Sequence, residues 1–354
     1  MADQSLAEQI QSEIKGMQSS LGDLQSSARL ADIRDRVEDL TVTVRGLDQR
    51  IASLREHGYA FEKDLENQAA QFVQDWAKVE PGLKRKIESE AGELEGGLRP
   101  LETQLAQLAG DRSPATVLQP RVARLKTQVE NLESRVEGAE KSIRGEYDQF
   151  QNTVSQLENH LSKLEWTLTE ISEADFELLA TESPIMAVKA VWAKEGKQTK
   201  EDPEGVLFLT DQRVLFEQKE KVATKKVLFI ATEKELVQEL KWEIPVVLVE
   251  DAKASKEGFL NKDDYLELRL AAGAPFDVLH IHIWQRGDEW VSLIQRAKAG
   301  DFDASRAIPI DEAILEKVRS APTKCPSCGG AVTQVILRGM DSLTCEFCGD
   351  VIRW

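Results

Sequence analysis

Apolar residues recur in steps of three and four from Val122 to Ile171: Val122, Leu125, Val129, Leu132, Val136, Ala139, Ile143, Tyr147, Phe150, Val154, Leu157, Leu161, Leu164, Leu168 and Ile171. This is a heptad seam, and at about 1.5 Å per residue it predicts a helical rod roughly 75 Å long. One extra four-step around Ile143 is a stutter, which locally unwinds a supercoil without ending the helix. A stripe of that length must bury itself against other helices, because isolated helices draw their stability from packing.

The same rhythm runs upstream. Ile10, Ile14, Met17, Leu21 and Leu24 lead to a phase shift at Gln25–Ser27, after which Leu30, Ile33, Val37, Leu40, Val44, Leu47, Ile51 and Leu54 resume it. His57-Gly58 reads as a stop, since glycine is favoured just past a helix end. A rougher stripe runs from Phe61 through Leu65, Phe72, Trp76, Leu83, Ile87, Leu94, Leu98 and Leu105 to Leu108. Pro81-Gly82 is expected to kink or break it, with Gly96-Gly97 and Pro100 weakening it again. Gly110–Pro114 ends it. The expectation is a helical coiled-coil stalk over residues 1–175, built from helical regions at about 3–57, 59–109 and 115–172. Short connections favour antiparallel neighbours, as an elongated three-helix bundle or as a helical hairpin plus a segment that pairs with a second chain. The polar faces lack the Lys/Arg-rich character of a membrane-surface helix.

Near Glu173–Ser183 the period changes. Ile185–Ala193, a hairpin over Gly205–Glu217 turning near Asp211-Gln212, Lys226–Ala231, Trp242–Glu250, Tyr265–Leu270 and Asp277–Trp284 read as strands, with Ala252–Asp264 as a loop. A helix at Asp288–Ala299 follows. The stretch Gly205-Val-Leu-Phe-Leu-Thr-Asp-Gln-Arg-Val-Leu-Phe216 resembles the strand pair of GRAM-type domains in the pleckstrin-homology superfold: glycine, apolar run, Thr, two polar residues, Arg, two apolar residues, Phe. Over residues 180–300 the resemblance implies an antiparallel β-sandwich or partial barrel with a C-terminal helix plugging one open corner, Trp290 being the plug. Domains of this superfold bind phosphoinositides or proteins, and fold alone does not choose. Lipid recognition needs a basic pocket. Lys194, Lys197, Lys200, Lys219, Lys221, Lys225 and Lys226 lie in the bordering loops, but Glu195, Glu201, Asp202, Glu204, Glu217 and Glu220 are interleaved with them. The pair Lys225-Lys226 is the lipid-binding candidate, set against a solvated mixed-charge loop. His280 and His282 share one face of a strand. Without an evident third ligand they read as packing or surface residues.

Residues 301–322 form a linker with one short helix, Asp311–Val318, bracketed by Pro309 and Pro322. The tail carries all four cysteines: Cys325-Pro-Ser-Cys328-Gly and, sixteen residues on, Cys345-Glu-Phe-Cys348-Gly. Each pair turns two thiolates toward one point, and four thiolates make a closed tetrahedral Zn²⁺ site with no position for water. A redox dithiol is the lesser reading. Ala331–Leu337 and Asp341–Thr344 read as a hairpin around Gly339. Residues 323–354 resemble a zinc ribbon, a piece too small for its own core and therefore dependent on the metal for folding.

Composition narrows the function. The 354-residue chain has a net charge of −17, which disfavours non-specific contact with nucleic acid or anionic lipid. The start lacks the basic and apolar regions of a signal peptide, and the longest apolar run, Ile244–Val249, is too short to span a membrane. A cytoplasmic location is expected. No paired carboxylates, activated nucleophile or phosphate loop stands out, and Gly96-Gly97 follows no strand, so neither an enzyme nor a small-molecule substrate is expected. The favoured reading is a cytoplasmic scaffold or adaptor that self-associates or spaces partners through the coiled coil. Its PH-like and ribbon modules would contact proteins. The alternatives are a peripheral adaptor on anionic membranes and a nucleic-acid-associated factor acting through the ribbon.

Overall fold

The computed structural model describes residues 5–227, 230–257 and 263–354, with the side chains of 222–234 and 257 also outside the described set. Four helices come first: α1 (Leu6–Ser27), α2 (Ala31–Glu56), α3 (Leu65–Gly110) and α4 (Ala115–Ser172). The chain divides into two compact units, one of Met1–Asp48 with Asn67–Glu158, the other of Gln49–Glu66 with Asn159–Trp354.

In the first unit, α1 opens on a capping box. The Ser5 hydroxyl accepts from the Glu8 N–H and the Glu8 carboxylate accepts from the Ser5 N–H. The first helical region, read at about 3–57 with a phase shift at Gln25–Ser27, is two helices. Leu30 lies six residues beyond Leu24, roughly 240° around a continuous helix and so off the buried stripe. The chain breaks at Ala28–Leu30, and Leu30 takes a φ of +52° while wholly buried. In contrast, α3 runs without a break through Pro81, where a kink or break was expected, and through Pro100, where the helix was expected to weaken. Each proline forfeits one backbone hydrogen bond, and the burial of Trp76, Leu83, Ile87, Leu98 and Leu101 around them offsets that loss. Trp76 stacks on Phe150, with ring centres 5.2 Å apart, and Phe72 meets Phe150 edge-on.

In the second unit, α2 ends in a Schellman turn: Tyr59 N–H donates to Leu54 O at 3.0 Å, Gly58 N–H to Arg55 O at 3.0 Å, and Gly58 has a φ of +92°. The next helix begins at Leu65, later than the expected residue 59. Arg55 is the reason. Its guanidinium donates to the carbonyls of Tyr59, Phe61 and Glu62 and forms a fork with Glu66, which holds 59–64 as a loop.

The β region is a seven-stranded antiparallel sheet in the order β4-β3-β2-β1-β7-β6-β5. The strands are β1 (Pro184–Trp192), β2 (Glu204–Thr210), β3 (Arg213–Val227), β4 (Ile230–Pro245), β5 (Val249–Glu257), β6 (Asp263–Leu270) and β7 (Val278–Ile283). Of Lys226–Ala231, read above as one strand, Lys226 and Val227 end β3 and Ile230 and Ala231 begin β4, while 228–229 lie outside the described residues. Trp242–Glu250 spans the end of β4, a 3₁₀ turn at Val246–Leu248 and the start of β5. Of the stretch read as a loop at 252–264, Ala252–Glu257 belong to β5 and Asp263 and Asp264 to β6, where Lys, Ser, Asp and Glu gave no apolar signal, and 258–262 lie outside the described residues.

Phe208, Leu215, Val206 and Ala187 form the core beneath β1–β3, covered by Trp166, Ile171 and Phe176 from the end of α4 and the segment after it. The Thr167 hydroxyl, donating to Lys163 O, accepts from the Ala187 N–H and so ties α4 to β1. Helix α5 (Gly287–Ala299) packs on β5 and β6 with Trp290 wholly buried, its indole N–H held by the Gln285 side chain at 2.9 Å. A seven-stranded antiparallel sheet followed by a helix is consistent with a PH-like fold.

Helix α6 (Glu312–Ser320) precedes the tail. There β8 (Ser342–Thr344) pairs with β9 (Val351–Arg353) across the second cysteine pair. The expected hairpin between 331–337 and 341–344 is absent among the described residues. Ala331 bridges back to Lys324 instead, so each short pairing closes around its own cysteines.

Candidate metal centre

The two cysteine pairs build the same knuckle twice. Gly329 N–H donates to Cys325 O and Gly349 N–H to Cys345 O, each at 2.9 Å. Cys325 and Cys345 in turn donate to Gly330 O and Asp350 O at 2.8 Å. Gly329 and Gly349 have φ of +73° and +74°, a conformation that disfavours a side chain, so glycine after the second cysteine is what lets each loop close. The result brings all four Sγ atoms within 4.8 Å of one another, with Cys325–Cys348 and Cys328–Cys345 both at 3.7 Å. A disulfide needs about 2.05 Å, so these are four separate thiols arranged around one point. Cys325 and Cys345 are buried against Leu343 and Ile352, with Val332, Ile336, Met340 and Trp354 packed around them. Cys328 and Cys348 face outward.

The thiols do not titrate alike. Cys345 is pulled down to about 7 by the backbone N–H groups of Cys348 and Phe347. Cys348 receives a favourable N–H from Asp350, yet the neighbouring Cys328, burial and the other thiols push it up to about 12. Four anionic sulfurs this close repel one another, and a cation removes that conflict. The cluster therefore has the chemistry to hold a metal ion.

Among the described side chains the basic candidates are not gathered in this way. Lys225 and Lys226 lie near the end of β3, and their side chains lie outside the described residues. Lys219 is held between Glu170 and Glu173 at 2.9 and 2.8 Å. Lys194 sits over the Trp192 ring, and Lys197, Lys200 and Lys221 are exposed. A groove of about 680 Å³ brings Lys189, Lys219 and Lys221 together, but with Glu170, Glu204 and Glu220 in the same wall. His282 is sandwiched between Tyr265 and Trp284, with Nδ1 at 2.7 Å from the Gln198 side chain, and burial pushes its pKa down. Among the described residues no third ligand joins it and His280.

One arrangement escaped the sequence reading. Arg213 pairs with Glu182 and Glu243, the first contact fully enclosed. Next to it, Asp211 lies between the guanidiniums of Arg306 and Arg338 and accepts from the Ser183 N–H at 3.0 Å. Burial pushes the Asp211 carboxyl up, against the pull of Ser183, Arg338 and Arg306. The partners are distant in sequence, and no local pattern announces them.

No known protein-family model matches this chain, and no curated protein does. Among solved structures it is similar to a DUF1696-family protein with a pleckstrin-homology domain from Shewanella loihica, at 16% identity and a TM-score of 0.19, over 34% of this chain and 80% of that one. It is also similar to the DH/PH domains of PDZ-RhoGEF crystallised with activated RhoA, at 10% identity and a TM-score of 0.25, over 81% of this chain and 94% of that one. Scores this low carry no argument about function. No helix among the described residues is long and apolar enough to cross a membrane.

Proposed function

We propose that the chain is a non-enzymatic scaffold or adaptor whose tail is a structural zinc ribbon. The four-thiol cluster carries this reading. At the usual Zn–S distance of about 2.3 Å, sulfurs at the corners of a tetrahedron stand about 3.8 Å apart. The Cys325–Cys348 and Cys328–Cys345 Sγ distances are both 3.7 Å. Four thiolates fill a tetrahedral ion and leave no site for water or substrate, which is the pattern of a structural rather than a catalytic zinc. The ion would supply the folding energy that Leu343, Ile352 and their few neighbours cannot.

The modules are a helical stalk over 1–175, a PH/GRAM-like domain over 180–300, a linker over 301–322 and the ribbon over 323–354. The buried stripe from Val122 to Leu168 supports a coiled-coil stalk that spaces partners or pairs chains. Protein contact is favoured over anionic lipid, because Lys219 is already paired and acidic side chains share the groove of Lys189 and Lys221. Co-sedimentation of the full chain with neutral and anionic vesicles tests this choice. No pelleting at low salt is expected. Pelleting that needs anionic lipid and is lost in Lys225→Glu/Lys226→Glu would overturn it in favour of a membrane adaptor.

A further inference from the structure

The ribbon meets the β2–β3 turn of the β domain through its own turn Leu337–Met340. Met340 N–H donates to Leu337 O at 3.2 Å and closes it. On the side facing the cysteines, Ile336 and Met340 pack into the cluster of Cys325, Leu343, Cys345 and Ile352. On the other side the turn meets the β2–β3 turn. The Gln212 side chain brackets the Arg338 backbone as a neighbouring strand would, donating to Arg338 O at 3.0 Å and accepting from Arg338 N–H at 2.6 Å. The Arg338 guanidinium reaches Asp211 and Asp303. Gly339 lies so close to the segment before β1 that a Cβ there would stand 2.3 Å from Ala180 O. Asp211 and Gln212 are buried, and the carboxylate of Asp211 is compensated by Arg306 and Arg338 together.

We propose that the ribbon is a metal-dependent clasp: the ion orders the 337–340 turn, and the turn locks the β2–β3 turn and the 303–306 segment of the β domain through Asp211 and Gln212. This rests on the zinc reading above. Without the ion, the cysteine core has nothing to hold Ile336 and Met340 in place, and the turn between them loses its shape. Arg338 then leaves Asp211, and a buried carboxylate with one of its two guanidiniums removed opens to water. Linkage makes the coupling reciprocal. If the metal stabilises docking, docking must tighten the metal by the same factor.

The test uses the full chain, with zinc as the probe. Hydrogen exchange is followed by mass spectrometry before and after chelation, and zinc affinity is measured by competition with a chromophoric chelator. Chelation is expected to speed exchange in 204–217 and 300–308 as well as in 323–354. Arg338→Ala and Gln212→Ala are each expected to weaken zinc by about five-fold or more. Gln212→Ala leaves Asp211 with both guanidiniums, so it keeps the test open if Arg338→Ala fails to fold. Two results overturn the clasp. If the wild type binds zinc, chelation opens only 323–354 and the variants hold zinc at wild-type affinity, the ribbon is an independent module. If the wild type takes up no zinc at all, the metal reading itself falls and the clasp with it.

Discussion

Trp76 donates its indole N–H to the Thr41 hydroxyl at 2.9 Å, in the buried interior of the helical unit. Thr41 lies 2.8 Å from Val37 O and 3.2 Å from a Glu80 carboxylate oxygen, and Glu80 is itself paired with Lys84 and Arg45. A threonine on an otherwise apolar stripe thus anchors the one polar atom of a buried tryptophan. Thr41→Val keeps the shape and strands that N–H. It should cost about 1–3 kcal/mol, read as a lower urea midpoint of the helical circular dichroism signal. Val42→Thr, at a neighbouring exposed position, should change stability by no more than about 0.5 kcal/mol.

Gly205 opens the β2–β3 hairpin, and the structure supplies the reason for a glycine there. A Cβ at this position would lie 1.9 Å from the Glu217 carbonyl oxygen on β3. Backbone cannot yield as a flexible side chain does, so even Gly205→Ala must push β2 from β3. A loss of about 1–3 kcal/mol or more is expected in the β domain, with the helical signal largely retained. Wild-type stability in this variant would contradict the pairing of Gly205 with Gln218.

His282 provides a pH dependence. Burial between Tyr265 and Trp284 lowers its pKa below 6.5, against a weaker opposing pull from Asp263 and Asp264. The unfolded chain therefore takes up a proton that the folded chain refuses. The resulting stability is fully present above the unfolded value of about 6.5 and is lost as pH falls through the folded pKa. Melting temperatures measured between pH 7.5 and 5 should fall for the wild type more steeply than for His282→Gln. Equal slopes would contradict the assignment.

The physical origin of each signal decides what the sequence discloses. The helical stripes are legible because every third or fourth residue is apolar and those residues are buried, from Ile33 to Leu54 and from Val122 to Leu168. The prolines in α3 misled because local propensity says nothing about the packing that overrides it. The first half of the β domain is legible where strands are buried, as at Leu207–Leu209 and Val214–Phe216. The end of β5 is not, because Lys253, Ser255, Lys256 and Glu257 give it no apolar alternation, whereas its partner β6 is read from Leu266, Leu268 and Leu270. The cysteines speak through spacing alone. The Asp211–Arg338 contact, joining residues 127 positions apart, has no local signature at all.

Metal content is the measurement that bears most directly on the account. Native mass spectrometry and elemental analysis of the full chain, purified without chelator, should find one zinc per chain. Cys345→Ser should hold it more weakly, and alkylation of the four native thiols should be slow until the ion is stripped. A metal-free chain whose four thiols alkylate freely while 323–354 stays protected from exchange would contradict the zinc ribbon and the role given to the tail.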